Sequence, residues 1–219
     1  MQAAASGPNY GGMHRVLALI ATIFLLVVPA AAAPVTVLVL GDSLTAGLGL
    51  APNEAFPVKL EAALRAKGQD VKIINAGVSG DTIADGLARL DWSLDASVSA
   101  VIVELGANDA LRGLPVPQAE QALDNLLTNL DQHHLPVLIA GMRAPPNLGP
   151  DYAAAFDPMY PRLAQKHGAL LYPFFLDGVA AEPALNQADG MHPNPKGVDI
   201  VVARMLPSVE QLVARAAAK

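Results

Sequence analysis

The sequence predicts an α/β domain: a three-layer α/β/α arrangement around a doubly wound, five-stranded parallel sheet. Three observations predict it. Short apolar, β-branched runs recur along residues 34–219. Segments with helical spacing, mostly ten residues or longer, separate them, as parallel strands require. Small and polar residues follow the strands, where sheets of this kind bind their ligands.

The elements follow in order. Val35–Leu40 is a continuous apolar strand of the sort buried on both faces. Ala55–Lys67 has helical spacing, with Phe56, Leu60, Ala63 and Leu64 on one face and Gly68 as a stop. Val71–Asn75 is the second strand. Thr82–Leu94 reads as one helix, with Asp81 as its cap or in its first turn. Ala100–Leu105 is the third strand. Pro117–Gln132 is a polar-faced helix carrying Leu123, Leu126, Leu127 and Leu130. Val137–Gly141 is the fourth strand, Asp151–His167 a further helix and Ala169–Tyr172 the fifth strand. The last helix runs from about Pro195 to Ala217, with a bend expected near Pro207.

Residues 1–33 stand apart from this pattern. Val16–Val28 reads VLALIATIFLLVV, with His14 and Arg15 before it and PAAAAPV after it. That is the basic, apolar and small-residue order of a secretory signal peptide. The run is shorter than the roughly 20 residues of a membrane-spanning helix. Cleavage is expected near Ala32 or Ala33. Translation is expected to start at Met13, because residues 1–12 are polar and Gly-rich. Residues 34–219 are then a single exported domain, periplasmic or secreted, with no stable membrane span once the signal is removed.

The formal net charge is -6 and no Lys/Arg cluster is present, which argues against a nucleic-acid partner. The chain has no Cys. Disulfides, zinc-thiolate sites and thiol nucleophiles are therefore excluded.

The strand ends carry the chemistry. Gly41-Asp42-Ser43-Leu44 follows the first strand, Ser79-Gly80-Asp81 lies beyond the second, and Gly106-Ala107-Asn108-Asp109 follows the third. Alone, Ser43 reads as a helix N-cap. As a nucleophile it needs a base, since a free hydroxyl is weak at neutral pH. His133, His134 and His167 end helices, where an imidazolium is favoured, so they read as capping or solvated residues. His192 instead lies in a Pro-bounded loop three residues after Asp189. One turn can present both, with Asp189 orienting the imidazole. Acyl transfer also needs donors for an oxyanion. The Ser43 N–H, the Gly80 N–H and the Asn108 amide are the candidates. Gly80 otherwise reads as a turn glycine, and Asn108 as an Asx-turn residue.

These residues resemble the four blocks of the SGNH (GDSL) hydrolases. The match comprises GDSLTAG at 41–47, SGDT at 79–82, ELGANDALRG at 104–113 and DGMHPN at 189–194. GLARL at 86–90, YPRLA at 160–164 and PFF at 173–175 resemble the bacterial thioesterase I, arylesterase and lysophospholipase branch. The resemblance implies the flavodoxin-like SGNH hydrolase fold. It implies Ser43 as nucleophile, His192 as base and Asp189 as its orienting acid. Ser43 N–H, Gly80 N–H and the Asn108 side chain would form the oxyanion hole. Ala107 departs from the second Gly common in that branch.

The expected activity is hydrolysis of carboxylic esters and thioesters through an acyl-enzyme, by a monomer acting on small-molecule substrates. No metal and no cofactor is called for. Leu48, Leu50, Leu111, Leu114 and Leu148 flank the site as a candidate acyl groove. Two rivals are a carbohydrate O-deacetylase on the same fold and a non-catalytic binding module. A nucleotide or flavin binder fits poorly, because the loop after the first strand lacks phosphate-loop spacing.

Overall fold

A computed structural model describes residues 1–5, 7 and 34–219. The signal-peptide features, from the basic pair through the apolar run to the cleavage zone, lie outside the described residues. Among the described residues no helix is long and apolar enough to cross a membrane.

The chain from Val35 onward follows the expected alternation. Its elements are β1 (Val35–Gly41), α1 (Ser43–Ala46), α2 (Phe56–Ala66), β2 (Val71–Gly77), α3 (Ile83–Ala88), α4 (Leu90–Ser93) and β3 (Val98–Glu104). Then come α5 (Ala107–Leu111), α6 (Val116–Gln132), β4 (Val137–Ala140), α7 (Gly149–Phe156), α8 (Met159–His167), β5 (Leu170–Tyr172) and α9 (Pro195–Ala217). The five strands are parallel, in the order β2-β1-β3-β4-β5. The chain steps outward from β1 to β2, then returns to β3 on the other side of β1. That reversal places the topological switch point at the carboxyl ends of β1 and β3. Gly41 lies level with Gly77 on one side and with Glu104 on the other, so three strands end together.

Helices cover both faces. α2 packs against α9, which reaches β1, β3, β4 and β5, while α6 packs against α3 and α8. Leu38, Leu40, Val101, Ile102, Leu138 and Ile139 in the central strands are fully buried, which is why those strands read as unbroken apolar runs.

Two expected helices are each divided. Thr82–Leu94 splits into α3 and α4 at Arg89, whose φ of -107° and ψ of 5° leave the helical region. Thr82, not Asp81, caps α3: its hydroxyl accepts from the Asp85 N–H, and the Asp85 carboxylate accepts from the Thr82 N–H. This is the reciprocal capping box that Thr-x-x-Asp spacing permits. Asp81 is paired with Arg89 at 2.6 Å instead. The 151–167 helix begins at Gly149 and breaks at Asp157-Pro158, since a proline has no N–H to continue the ladder. α9 tolerates Pro207 without interruption; the Ala203 carbonyl deprived of its donor is on an exposed residue.

His167 also differs from the expected capping or solvated residue. Its imidazole is nearly buried between Asp124, at 2.7 Å from Nε2, and Asp131, at 2.5 Å from Nδ1. Both carboxylates belong to α6, so this ring ties α8 to α6, far along the chain from Ser43.

Candidate active site

β1 stops at Gly41 because nothing larger fits. A β-carbon there would stand 2.2 Å from Thr45 Oγ1 and 2.8 Å from Glu104 Oε2. The chain then turns directly into α1. Asp42 is the N-cap: its Oδ1 accepts from the Leu44 N–H at 2.9 Å. The capping role considered for Ser43 therefore falls to Asp42, and Ser43 is the first helical residue. Gly47 ends the helix in the left-handed conformation after a single turn.

Ser43 meets the C-terminal loop across 149 residues of sequence. Its Oγ lies 2.8 Å from His192 Nε2. His192 Nδ1 lies 2.6 Å from Asp189 Oδ2, and Asp189 Oδ1 accepts from the Met191 and His192 N–H groups at 2.9 and 3.0 Å. Those hydrogen bonds hold the Asp189 carboxyl down to about 2, led by the His192 and Met191 amides. An ionised Asp189 accepts a hydrogen bond from Nδ1–H and so fixes the proton on that nitrogen, which leaves Nε2 as the acceptor facing Ser43. Gln187 braces the two segments: its Nε2 donates to the Leu48 carbonyl at 2.7 Å and to the Pro193 carbonyl at 3.1 Å.

The three candidate donors fall in two states. The Ser43 and Gly80 N–H groups make no hydrogen bond within the described residues. Gly80 has φ of 92°, and its carbonyl accepts from Arg112 Nη2 at 2.6 Å, so the Gly80–Asp81 peptide that follows the candidate N–H is held from the α5 side. Asn108 Nδ2 is engaged twice, donating to Asp42 Oδ2 at 3.1 Å and to the Asp81 carbonyl at 3.0 Å. Asn108 thus bridges the residue before Ser43 and the residue after Gly80. To stabilise an oxyanion it must turn one of those N–H groups away from its present acceptor.

The structure adds residues that sequence reasoning passed over. Asp42 is fully buried at the head of the Ser43 turn. Glu104 is fully buried beside it. Asp109 accepts from the Ile83 N–H at 2.9 Å and anchors the start of α3 to α5. A charged residue closing the run AVIVEL was a visible sign for Glu104. Nothing in the spacing marks Gln187 or Arg112.

Of the candidate groove residues, Leu48 and Leu50 border a narrow crevice, without room for a water molecule, together with Ser43, His192, Pro193 and Val198. Leu111 is exposed on α5. Leu114 and Leu148 do not border this crevice; Leu148 packs beside Gly113.

A doubly wound α/β domain with a Ser–His–Asp array at its switch point has the arrangement that serine hydrolases use for acyl transfer. The particular family follows from comparison. Residues 39–200 match the GDSL-like Lipase/Acylhydrolase family, and the chain belongs to it. It is therefore an acyl-ester hydrolase. An arylesterase of Vibrio mimicus is 40% identical over 185 residues, covering 84% of this chain and 92% of its own. The thioesterase 1/protease 1/lysophospholipase L1 of Escherichia coli K12 is 38% identical over 184 residues, covering 84% and 87%. The crystal structure of AlinE4, an SGNH-hydrolase family esterase, is 48% identical. It covers 81% of this chain and 96% of its own, with a TM-score of 0.69.

Asp42 generates a stability prediction. Burial pushes its carboxyl up from 3.8 to about 6, against the lowering effects of the Leu44 N–H, His192 and Asn108. The folded state therefore binds this proton more tightly than the unfolded chain does. The ionised, buried group costs stability above pH 6, and the cost is relieved as pH falls from 6 toward 3.8. Linkage puts that cost on the order of 3 kcal/mol. In thermal melts, Asp42→Asn is expected to gain stability relative to the parent between pH 5 and pH 8. Parallel curves for the two proteins would contradict this assignment.

Proposed function

We propose that the protein is an exported serine hydrolase of carboxylic esters and thioesters that works through an acyl-enzyme on Ser43. The observation that carries this reading is the 2.8 Å contact between Ser43 Oγ and His192 Nε2, with Asp189 behind the ring. The relatives' names, arylesterase and thioesterase/lysophospholipase, support both leaving groups, an alcohol and a thiol.

The geometry suits the following steps. Ser43 Oγ attacks the acyl carbonyl carbon as its proton passes to His192 Nε2. Asp189 keeps its negative charge and stabilises the imidazolium. The carbonyl oxygen becomes an oxyanion, received by the Ser43 and Gly80 N–H groups. The Asn108 amide joins them by giving up one of its two present acceptors. Such donors are often the largest single contribution to rate. His192 returns the proton to the departing alcohol or thiol. A water then gives its proton to the same nitrogen as it attacks the acyl carbon; the Oγ–acyl bond breaks, His192 returns the proton to Ser43 Oγ, and the acid leaves. Leu48 and Leu50, beside Ser43, supply apolar surface against which an acyl chain can lie.

Kinetics on acyl-CoAs, lysophospholipids and p-nitrophenyl esters of several chain lengths test the reading. Ser43→Ala is expected to lower kcat by at least ~10⁴-fold and Asp189→Asn by ~10³–10⁴-fold, both with KM little changed. kcat/KM is expected to fall on the acid side, because the base must be neutral in the free enzyme. Full activity in Ser43→Ala would overturn the nucleophile assignment. Activity confined to acetylated sugars would favour a deacetylase instead.

We also propose that the signal peptide within residues 1–33 directs export and is then removed. The support is the His14-Arg15 pair, the Val16–Val28 run and the alanines that follow. N-terminal sequencing of the exported protein is expected to begin near Ala33 or Pro34. A retained apolar run would contradict removal.

A further inference from the structure

Two buried acids lie under the candidate nucleophile, and the mechanism above uses neither. Glu104 closes β3 in register with Gly41 of β1. Its side chain is fully buried, and neither carboxyl oxygen makes a hydrogen bond of full geometry. It fills the space below Gly41, where Thr45 Oγ1 also points. The polar groups facing it are the Asp42 N–H and the Thr45 hydroxyl. Thr45 in turn donates to the Asp42 carbonyl at 3.3 Å.

The charged groups around Glu104 supply no counter-ion. Asp42, from the β1–α1 turn, is itself a buried acid, and it faces His192. Tyr160, from α8, is buried and donates its hydroxyl to the Leu105 carbonyl at 3.0 Å. Arg89 donates to the Gly41 carbonyl at 3.0 Å, to Asp81 at 2.6 Å and to Ser93 Oγ at 3.4 Å, and is committed to those three acceptors. An ionised Glu104 would be an unpaired charge in the core, which is among the costliest features a fold can hold. A neutral carboxylic acid avoids that cost and has one O–H to donate and one carbonyl to accept.

We propose that Glu104 acts as an uncharged carboxylic acid and is a positioning residue for Ser43. Its carbonyl receives the Asp42 N–H, and its O–H goes to Thr45, which passes a hydrogen bond on to the Asp42 carbonyl. The closed set pins the Asp42–Thr45 turn to β3 from below. It fixes where the Ser43 hydroxyl and N–H point, and it keeps a second negative charge away from the forming oxyanion. Burial, with the neighbouring Asp42, pushes the Glu104 carboxyl well above the usual carboxylate range, in agreement with the geometry. The proposal rests on the serine-hydrolase reading.

The test compares Glu104→Leu with Glu104→Gln on one p-nitrophenyl ester, with Ser43→Ala as control. Glu104→Leu removes the hydrogen bonds and is expected to lower kcat about 10-fold or more at nearly constant KM, as ångström-scale misplacement does. Glu104→Gln keeps the shape, a donor and an acceptor without charge. It is expected to restore kcat to within about 3-fold of the parent, since it changes no charge, and to leave the acid limb of kcat/KM unshifted. Unchanged kcat in a folded Glu104→Leu protein would overturn the positioning role. A Glu104→Gln protein that is folded yet about 100-fold slower, or whose acid limb moves, would overturn the uncharged state. Should Glu104→Leu fail to fold, the Gln variant alone decides. Residual full activity in Ser43→Ala would instead refute the underlying reading.

Discussion

At the end of β1 there is no room for a side chain. A β-carbon on Gly41 would press on Thr45 and Glu104, and one on Gly77, level with it on β2, would lie 2.4 Å from the Ala46 backbone nitrogen. α1 is therefore seated directly on two strand ends. Because it sits so low, one helical turn is enough to bring Ser43 to the rim. The same close approach puts Asp42 and Glu104 in the interior beneath it. Close packing of this kind leaves few alternative positions for the hydroxyl, and a nucleophile is effective only where its direction is held.

Three carboxyl groups then sit at increasing depth below and beside His192. Asp189 is on the solvent side, receives two backbone N–H groups and stays ionised. Asp42 is buried but accepts from Leu44 and Asn108, and it lies between the extremes. Glu104 is deepest, and neither of its oxygens makes a hydrogen bond of full geometry. Burial disfavours the charged form and donors favour it, so the gradient in depth becomes a gradient in charge. The one firmly ionised acid is the one that touches the imidazole. Asn108 links the two sides of the rim, and its bond to Asp42 ties the amide's orientation to that intermediate acid.

Much of this was legible in the sequence, for identifiable reasons. The strands were readable because β1, β3 and β4 are buried on both faces and so are nearly pure in apolar residues. Ser43, Asp189 and His192 were readable because strand-end placement and Asp-x-x-His spacing restrict what those residues can reach. The helix breaks at Arg89 and Pro158 were missed where apolar periodicity carried on across a backbone turn. Asp81 and Thr82 were exchanged as caps because both are good caps, and only the Arg89 partner decides between them. Long-range contacts left no trace at all: Gln187 reaching Leu48, Arg112 reaching Gly80 and His167 between two aspartates are pairings that no local spacing encodes. The occupied state of the Asn108 amide is likewise a property of three segments meeting.

The proposed chemistry depends on Ser43 Oγ as the atom that forms the acyl-enzyme. The most direct measurement is intact-mass and peptide-mapping mass spectrometry after reaction with a p-nitrophenyl alkylphosphonate, a reagent that phosphonylates an activated serine and stays bound. A single adduct is expected on the peptide containing Ser43, formed with loss of esterase activity, and its formation is expected to slow sharply in His192→Ala. Loss of activity with the adduct on another residue, or with none, would contradict it.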